Sequence, residues 1–200
     1  MAKLFALICL YAVALEMSAQ SYQPSYFYTL DYKQVKGKIK FTTIQSGYLT
    51  STGSVPGRIK FKAENDTKVF KITADEIRGF VVGLDSFVVL KNIPVSPKDH
   101  FKRDFVKVEE MGTLNLYSHC SQVAAGRFGT RTKKVYFLLK NGTKKMIPFY
   151  NRYQQKKFLN LISEDPELAA EVKNDWRWME KIPLLIKKYN LWIADGNTLR

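Results

Sequence analysis

Cysteine and histidine are nearly missing from this chain. Two cysteines, Cys9 and Cys120, and two histidines, His100 and His119, are spread over 200 residues. That excludes a disulfide framework and leaves no histidine pair at metal-ligand spacing. Acid is scarce as well, with 18 Asp and Glu against 32 Lys and Arg, a net charge of +14. Long apolar runs are confined to one place, the twelve residues from Leu4 to Leu15. No later run approaches the length of a membrane span. Also missing are a nucleophile elbow, a phosphate-binding glycine loop and a dinucleotide fingerprint. No cofactor or metal is expected, and no catalytic residue can be assigned. His119 and Cys120 are neighbours on an expected strand, so they point to opposite faces and are poorly placed to act together. Asp75–Glu76 and Glu109–Glu110 are adjacent carboxylates that read as surface charge.

What is present begins with a three-part leader. Met1-Ala2-Lys3 is a short positive start, Leu4 to Leu15 is apolar, and Ser18-Ala19-Gln20 is a small-residue exit. These are the parts of a secretory signal peptide, expected over residues 1–19 with cleavage after Ala19. Removing 19 of 200 residues leaves 181, which suffices for one domain with a small appendage. Export would leave Cys120 as the sole thiol, so the core must be held by packing.

From Gln34 to Phe149 the pattern is that of strands. Gly37-Lys-Ile-Lys-Phe41, Gly57-Arg-Ile-Lys-Phe61 and Lys68-Val-Phe-Lys-Ile72 alternate charged with apolar residues, which leaves one sheet face wet. Asn65-Asp66 reads as a turn between two of them. Gly79–Val82 and Ser86–Leu90 are apolar on both faces and flank a Gly-Leu-Asp turn, as central strands would. Lys134–Lys140, Asn141-Gly142 and Thr143–Ile147 form the clearest hairpin, because Asn-Gly suits a tight type I′ turn. That turn sets Phe137 opposite Met146 and Tyr136 opposite Ile147.

Beyond Tyr150 the period becomes helical. Tyr153, Phe158, Leu161 and Ile162 suit one face, and Asp165-Pro166 is a stop and fresh start. Trp178, Ile182, Leu185, Ile186, Tyr189 and Ile193 follow at three- and four-residue steps, with a kink or break expected at Pro183 and an end at Gly196. The expected fold is α+β. A mostly antiparallel body of about nine strands, a sandwich or partly open barrel (residues 20–149), precedes about three helices packed on it (residues 150–195). Tyr22, Tyr26, Phe27, Tyr28 and Tyr32 crowd the start of the body. They cover a sheet edge, form a first strand or offer a stacking site for sugars.

Charge is unevenly placed. The 53 residues between Glu110 and Glu164 hold no acid and ten cations. Lys133, Lys134, Lys144 and Lys145 lie on the arms of the expected hairpin, with Arg127 and Arg131 just before it. These six are the candidate site for an anionic partner such as lipid headgroups, an acidic glycan or an acidic protein. Export disfavours nucleic acid. A plain solvated face is the competing reading.

Several phrases together resemble a group of secreted, strand-rich proteins of Bacteroidetes bacteria. They are Gly57–Phe61, Ala74–Phe80, Phe105-Val-Lys-Val-Glu-Glu-Met-Gly-Thr-Leu-Asn-Leu-Tyr117 and the closing Ile186-Lys-Lys-Tyr-Asn190. The resemblance spans residues 37–190 and implies a periplasmic or outer-membrane-associated setting. It carries no activity and no catalytic residues. The resulting expectation is an exported envelope protein that binds or scaffolds without catalysis. The alternative is a hydrolase of an envelope polymer, and attachment through Trp176, Trp178 and Trp192 of the last helix is a third reading.

Overall fold

Alternating charged and apolar residues build a sheet with one greasy and one wet side. In β2 (Gln34–Lys40) and β5 (Arg58–Ala63), Ile39, Ile59 and Phe61 are buried while Lys36, Lys38, Arg58 and Lys60 are exposed. The computed structural model describes residues 23–40, 48–50, 53–55, 57–124, 129–141 and 146–197. The expected leader, residues 1–19, lies outside the described residues.

The remaining strands are β1 (Gln23–Thr29), β3 (Tyr48–Thr50), β4 (Gly53–Val55), β6 (Phe70–Thr73), β7 (Ile77–Val82), β8 (Asp85–Pro94), β9 (His100–Glu110), β10 (Leu114–Ala124), β11 (Thr130–Lys140) and β12 (Met146–Phe149). All twelve belong to one sheet, with a path β12-β11-β10-β9-β8-β7-β1-β2-β5-β6. The short pair β3 and β4 hangs off the path, where β3 runs parallel to β10. Every other pairing is antiparallel, so the α+β expectation holds. Among the described residues the body is one open sheet, with three strands more than the nine expected. Tyr26, Phe27 and Tyr28 supply one of the additional strands: β1 lies between β2 and β7 in the path and covers no edge, while Tyr32 sits in the turn after it and Tyr22 lies outside the described residues.

Three helices follow: α1 (Gln155–Leu161), α2 (Pro166–Asn174) and α3 (Ile182–Ala194). Asp165 caps α2 by accepting from the Leu168 amide at 2.9 Å, and Pro166 opens it. Pro183 does not kink a long helix. It sits in the first turn of α3, where its missing N–H is harmless, and Trp178–Lys181 forms a separate 3-10 turn before it. Gly196 ends α3 with φ +83°. Tyr153, assigned to the buried helix face, is instead exposed within the turn Arg152–Gln154.

The helices bury Phe158, Ile162, Leu168, Val172, Trp178, Ile182, Leu185, Ile186 and Tyr189 against Leu114, Leu116, Leu138 and Phe149 of the sheet. A second cluster lies beneath β1, β2, β5, β6 and β7, centred on Phe27, Ile39, Phe61 and Phe80. A third, with Ile93, Phe101, Val106, Tyr117 and Phe137, fills the opposite face of β8 to β11, where the sheet curls enough for β12 to touch β8.

Two of the sequence phrases meet in space. Asn190 on α3 accepts from the Leu114 amide and donates to the Leu114 carbonyl, both at 2.9 Å, as a neighbouring strand would. Gly112 makes room for it, since a Cβ there would stand 2.4 Å from the Asn190 amide carbon. Asn115 and Asn141 complete the corner: Asn115 donates to Asn141 at 2.8 Å, and Asn141 donates to the Gly112 carbonyl at 2.8 Å. Asn141 is therefore engaged with the β9–β10 turn. The β11–β12 register is Leu139 opposite Met146 and Phe137 opposite Pro148, two residues from the expected tight-turn register. A two-residue slip leaves every side chain on its original face, so the apolar pairing survives the error.

Candidate functional site

Lys133 and Lys134, first among the candidate residues, sit near the start of β11. Arg131 stands opposite Val123 on the same strand pair. Arg127, Lys144, Lys145 and the side chain of Arg131 lie outside the described residues. Leu139, which faces the far arm of the hairpin, is five residues from Lys134, roughly 17 Å along an extended strand.

The charge of Lys134 is already matched. Its ammonium lies 2.9 Å from Glu109 Oε1, which also accepts from the Ser118 hydroxyl at 2.6 Å, and Lys107 approaches Oε2 at 3.8 Å. Burial pushes the Glu109 carboxyl upward, but the hydrogen bonds from Ser118 and Lys134 and the two ammonium charges outweigh it. The carboxyl is held below its ordinary value. For Lys134, burial works against the charged form, while hydrogen bonds to Tyr136 and Glu109 raise it above the usual lysine value. Cys120 faces this group across Lys134, and burial pushes its thiol up, so it is no ready nucleophile. The acid-free window concealed this pair because β9 brings Glu109 in from outside it.

A larger cationic surface lies at the other end of the sheet. Cross-strand partners share a face, and Lys38 stands opposite Lys62, Lys40 opposite Lys60, and Lys60 opposite Lys71. Lys36 and Arg58 belong to the same face by two-residue steps. Burial of Ile39, Ile59, Phe61 and Ile72 on the reverse side fixes this face outward. Strands β1, β2, β5, β6 and β7 contain no Asp or Glu. Among the described residues, no ion pair reaches any of these seven cations.

The same face continues into an aromatic cleft. Tyr26 pairs with Lys36 on one side and Val81 on the other, and Tyr28 pairs with Gly79. With Tyr32, Arg78, Ser86 and Val88 they line a hollow of about 400 Å³. The Tyr26 and Tyr28 rings meet edge to face at 5.5 Å. A hydrogen bond with Tyr28, aided by burial, raises the Tyr26 hydroxyl above the ordinary tyrosine value. Gly79 leaves the floor bare, and the Phe87 carbonyl, 2.3 Å from where a Cβ would stand, keeps it so.

Two other places bear on the hydrolase alternative. Asp104 and His119 are fully buried, with His119 Nε2 donating to Asp104 Oδ2 at 2.8 Å. Ser121 lies two residues on and is equally buried, yet its hydroxyl makes no hydrogen bond to His119 Nδ1. The three residue types of an acyl-transfer triad are present without its geometry or access to substrate. A cleft of about 580 Å³ between Tyr136, Arg152, Trp176, Arg177, Met179 and Glu180 is open and carries one carboxylate. Among the described residues, no three His, Cys, Asp or Glu converge as metal ligands.

Compared with protein-family models, curated proteins and solved structures, the chain matches none. The physical chemistry of the surface therefore carries the functional reading. Trp178, offered for membrane attachment, is buried among Phe149 and Phe158 and serves the core. No helix among the described residues is long and apolar enough to cross a membrane. The lysine face went unrecognised in the sequence, although a second acid-free window, the 32 residues between Asp31 and Glu64, marks it. That window already holds Lys36, Lys38, Lys40, Arg58, Lys60 and Lys62.

Proposed function

We propose that this chain is an exported envelope protein that holds an anionic partner against the outward face of β2, β5 and β6. The observation that carries the reading is the direct opposition of lysines on neighbouring strands, Lys38 to Lys62 and Lys40 to Lys60 to Lys71. Like charges set opposite one another weaken a sheet. An anion laid across them converts that repulsion into binding energy. The leader read over residues 1–19 supports export, and the phrases shared with secreted Bacteroidetes proteins support a periplasmic or outer-membrane-associated setting. In that setting acidic glycans and lipid headgroups are the available anions.

Lys38→Gln, Lys60→Gln and Lys62→Gln combined is the test, read as retention on an anionic matrix across a salt gradient. At about 1 kcal/mol per cation near an anionic surface, the triple variant should bind roughly 100-fold more weakly at low salt. Lys133→Gln with Lys134→Gln should change retention little, because Glu109 already neutralises Lys134. Equal losses from the two variants would move the site back to the hairpin. No loss from the triple variant would remove the face from the reading altogether.

A further inference from the structure

We infer that the partner is an acidic polysaccharide, whose sugar rings stack in the Tyr26–Tyr28–Tyr32 cleft while the adjoining lysines take its carboxylates or sulfates. This rests on the lysine face being the docking surface and adds the identity of what docks.

The cleft exposes aromatic surface that the core does not use. Tyr32 takes the left-handed position, φ 66°, that closes the three-residue β1–β2 hairpin, its amide donating to the Thr29 carbonyl at 3.1 Å. The Arg78 guanidinium stacks over the Tyr32 ring at 3.8 Å, and its Nε is anchored by donating to the Leu30 carbonyl at 2.7 Å. The ring is 70% exposed even so. An exposed ring backed by this stacking contact is a platform for a flat ligand. Tyr28 is also exposed, and between them Gly79 provides a floor free of side chains.

The chemistry of the lining selects the ligand. Tyrosine presents an apolar ring beside a hydroxyl, and Ser86 and Arg78 add further polar contacts. A sugar ring offers the matching combination, with C–H groups on its faces and hydroxyls around its rim. An acyl chain lacks the rim. A bilayer surface is flat and would leave a hollow of about 400 Å³ unfilled. Acidity follows from continuity, since Tyr26 is the direct cross-strand neighbour of Lys36, and Pro24 that of Lys38. A chain of sugars lying across the strands from the cleft passes Lys36, Lys38 and Lys62 in succession, and its acidic groups meet ammonium groups there. Single-stranded nucleic acid can also combine stacking with cations, and the test decides against it or for it.

The experiment is calorimetric titration of the purified protein with oligogalacturonate, a neutral glucan oligomer of equal length, inorganic polyphosphate and a single-stranded oligonucleotide. Three proteins are compared: wild type, Tyr28→Ala/Tyr32→Gly, and the lysine triple variant. Glycine is at home at φ 66°, so removing the Tyr32 ring this way does not endanger folding. The expected result is oligogalacturonate bound at least tenfold tighter than the neutral oligomer. The tyrosine variant should lose about tenfold for oligogalacturonate with polyphosphate binding unchanged, and the lysine variant should lose both. If the lysine variant loses binding and the tyrosine variant does not, the sugar inference is overturned while the docking face stands. Tighter binding of the oligonucleotide than of oligogalacturonate overturns it too. If none of the three polyanions binds the wild type, both readings fall.

Discussion

The strongest single anchor in the fold should be the Asp104 carboxylate, and its removal makes a demanding test. Asp104 is fully buried on β9, and its two oxygens serve three elements at once. Oδ1 accepts from the Gly57 amide at 2.8 Å and from its own neighbour Phe105 at 2.8 Å, and Oδ2 accepts from His119 on β10. One side chain thus ties the entry to β5 to the middle of the sheet, 47 residues away in the chain. Asp104→Ala leaves three buried donors without their acceptor. Stranding one side of a buried pair costs about 3–5 kcal/mol, and each kcal/mol lowers the melting temperature of a domain this size by roughly 2–4 °C. A fall of about 6–20 °C is expected by calorimetry at neutral pH, with loss of hydrogen-exchange protection at Gly57 and Phe105. His119→Ala should cost much less in the Asp104→Ala background than in the wild type, because the interaction it breaks is already gone. A fall under ~3 °C with both amides still protected would falsify the view that this carboxylate organises the strands around it.

Two further predictions concern the helix–sheet corner. Asn190→Ala removes both hydrogen bonds to Leu114 and should lower stability by about 1–3 kcal/mol, measured by chemical denaturation. Gly112→Ala should be similarly harmful alone, yet nearly silent once Asn190 is alanine, since the amide it would strike has been removed. Tyr189 predicts an alkaline effect. Its hydroxyl is pushed up from 10.0 to about 12 by burial, by its hydrogen bond to Glu164 and by the nearby carboxylate charges. Between those values the unfolded chain sheds a proton that the folded one keeps, so stability is full below pH 10 and declines as pH rises toward about 12. Tyr189→Phe should flatten that decline in melting temperature, and an unchanged slope would assign it to other groups.

Local pattern made the strands and helices legible because burial on one face leaves a period behind it. Ile39, Ile59 and Phe61 could be placed in the core from two-residue alternation alone, and Leu185, Ile186 and Tyr189 from helical spacing. What escaped was every fact set by strands far apart in the sequence. Glu109 neutralises Lys134 only because β9 and β11 flank β10. The open path of the sheet depends on β1 inserting between β2 and β7, which no local signal encodes. The Asn141-Gly142 signal was overridden by tertiary contacts, as Asn141 has better partners in Asn115 and Gly112 than a tight turn would offer. The lysine face is the instructive case. Each strand showed its alternation separately, and only the pairing of β2 with β5 and β5 with β6 turned three unremarkable stripes into one charged surface.

That surface also separates stability from function. Directly opposed residues hold their Cβ atoms about 4.5–5.5 Å apart, and two unit charges at such a distance in water repel by on the order of 1 kcal/mol. Lys60 is opposed on both sides, by Lys40 and by Lys71. Long side chains splay and reduce the effect, and no carboxylate on these strands relieves it. Folding alone would favour a polar uncharged residue at any of these positions, because Ile39, Ile59 and Ile72 beneath are indifferent to what stands on the wet side. Glutamine at Lys38, Lys60 and Lys62 should therefore raise the melting temperature at low salt while weakening anion binding. Both effects should shrink together toward 1 M salt, where screening acts within about 3 Å. A surface shaped only for solubility would not oppose its charges this way, since alternating signs serve solubility without the repulsion. Opposite movement of stability and affinity in a single variant is the signature of charges kept for a partner.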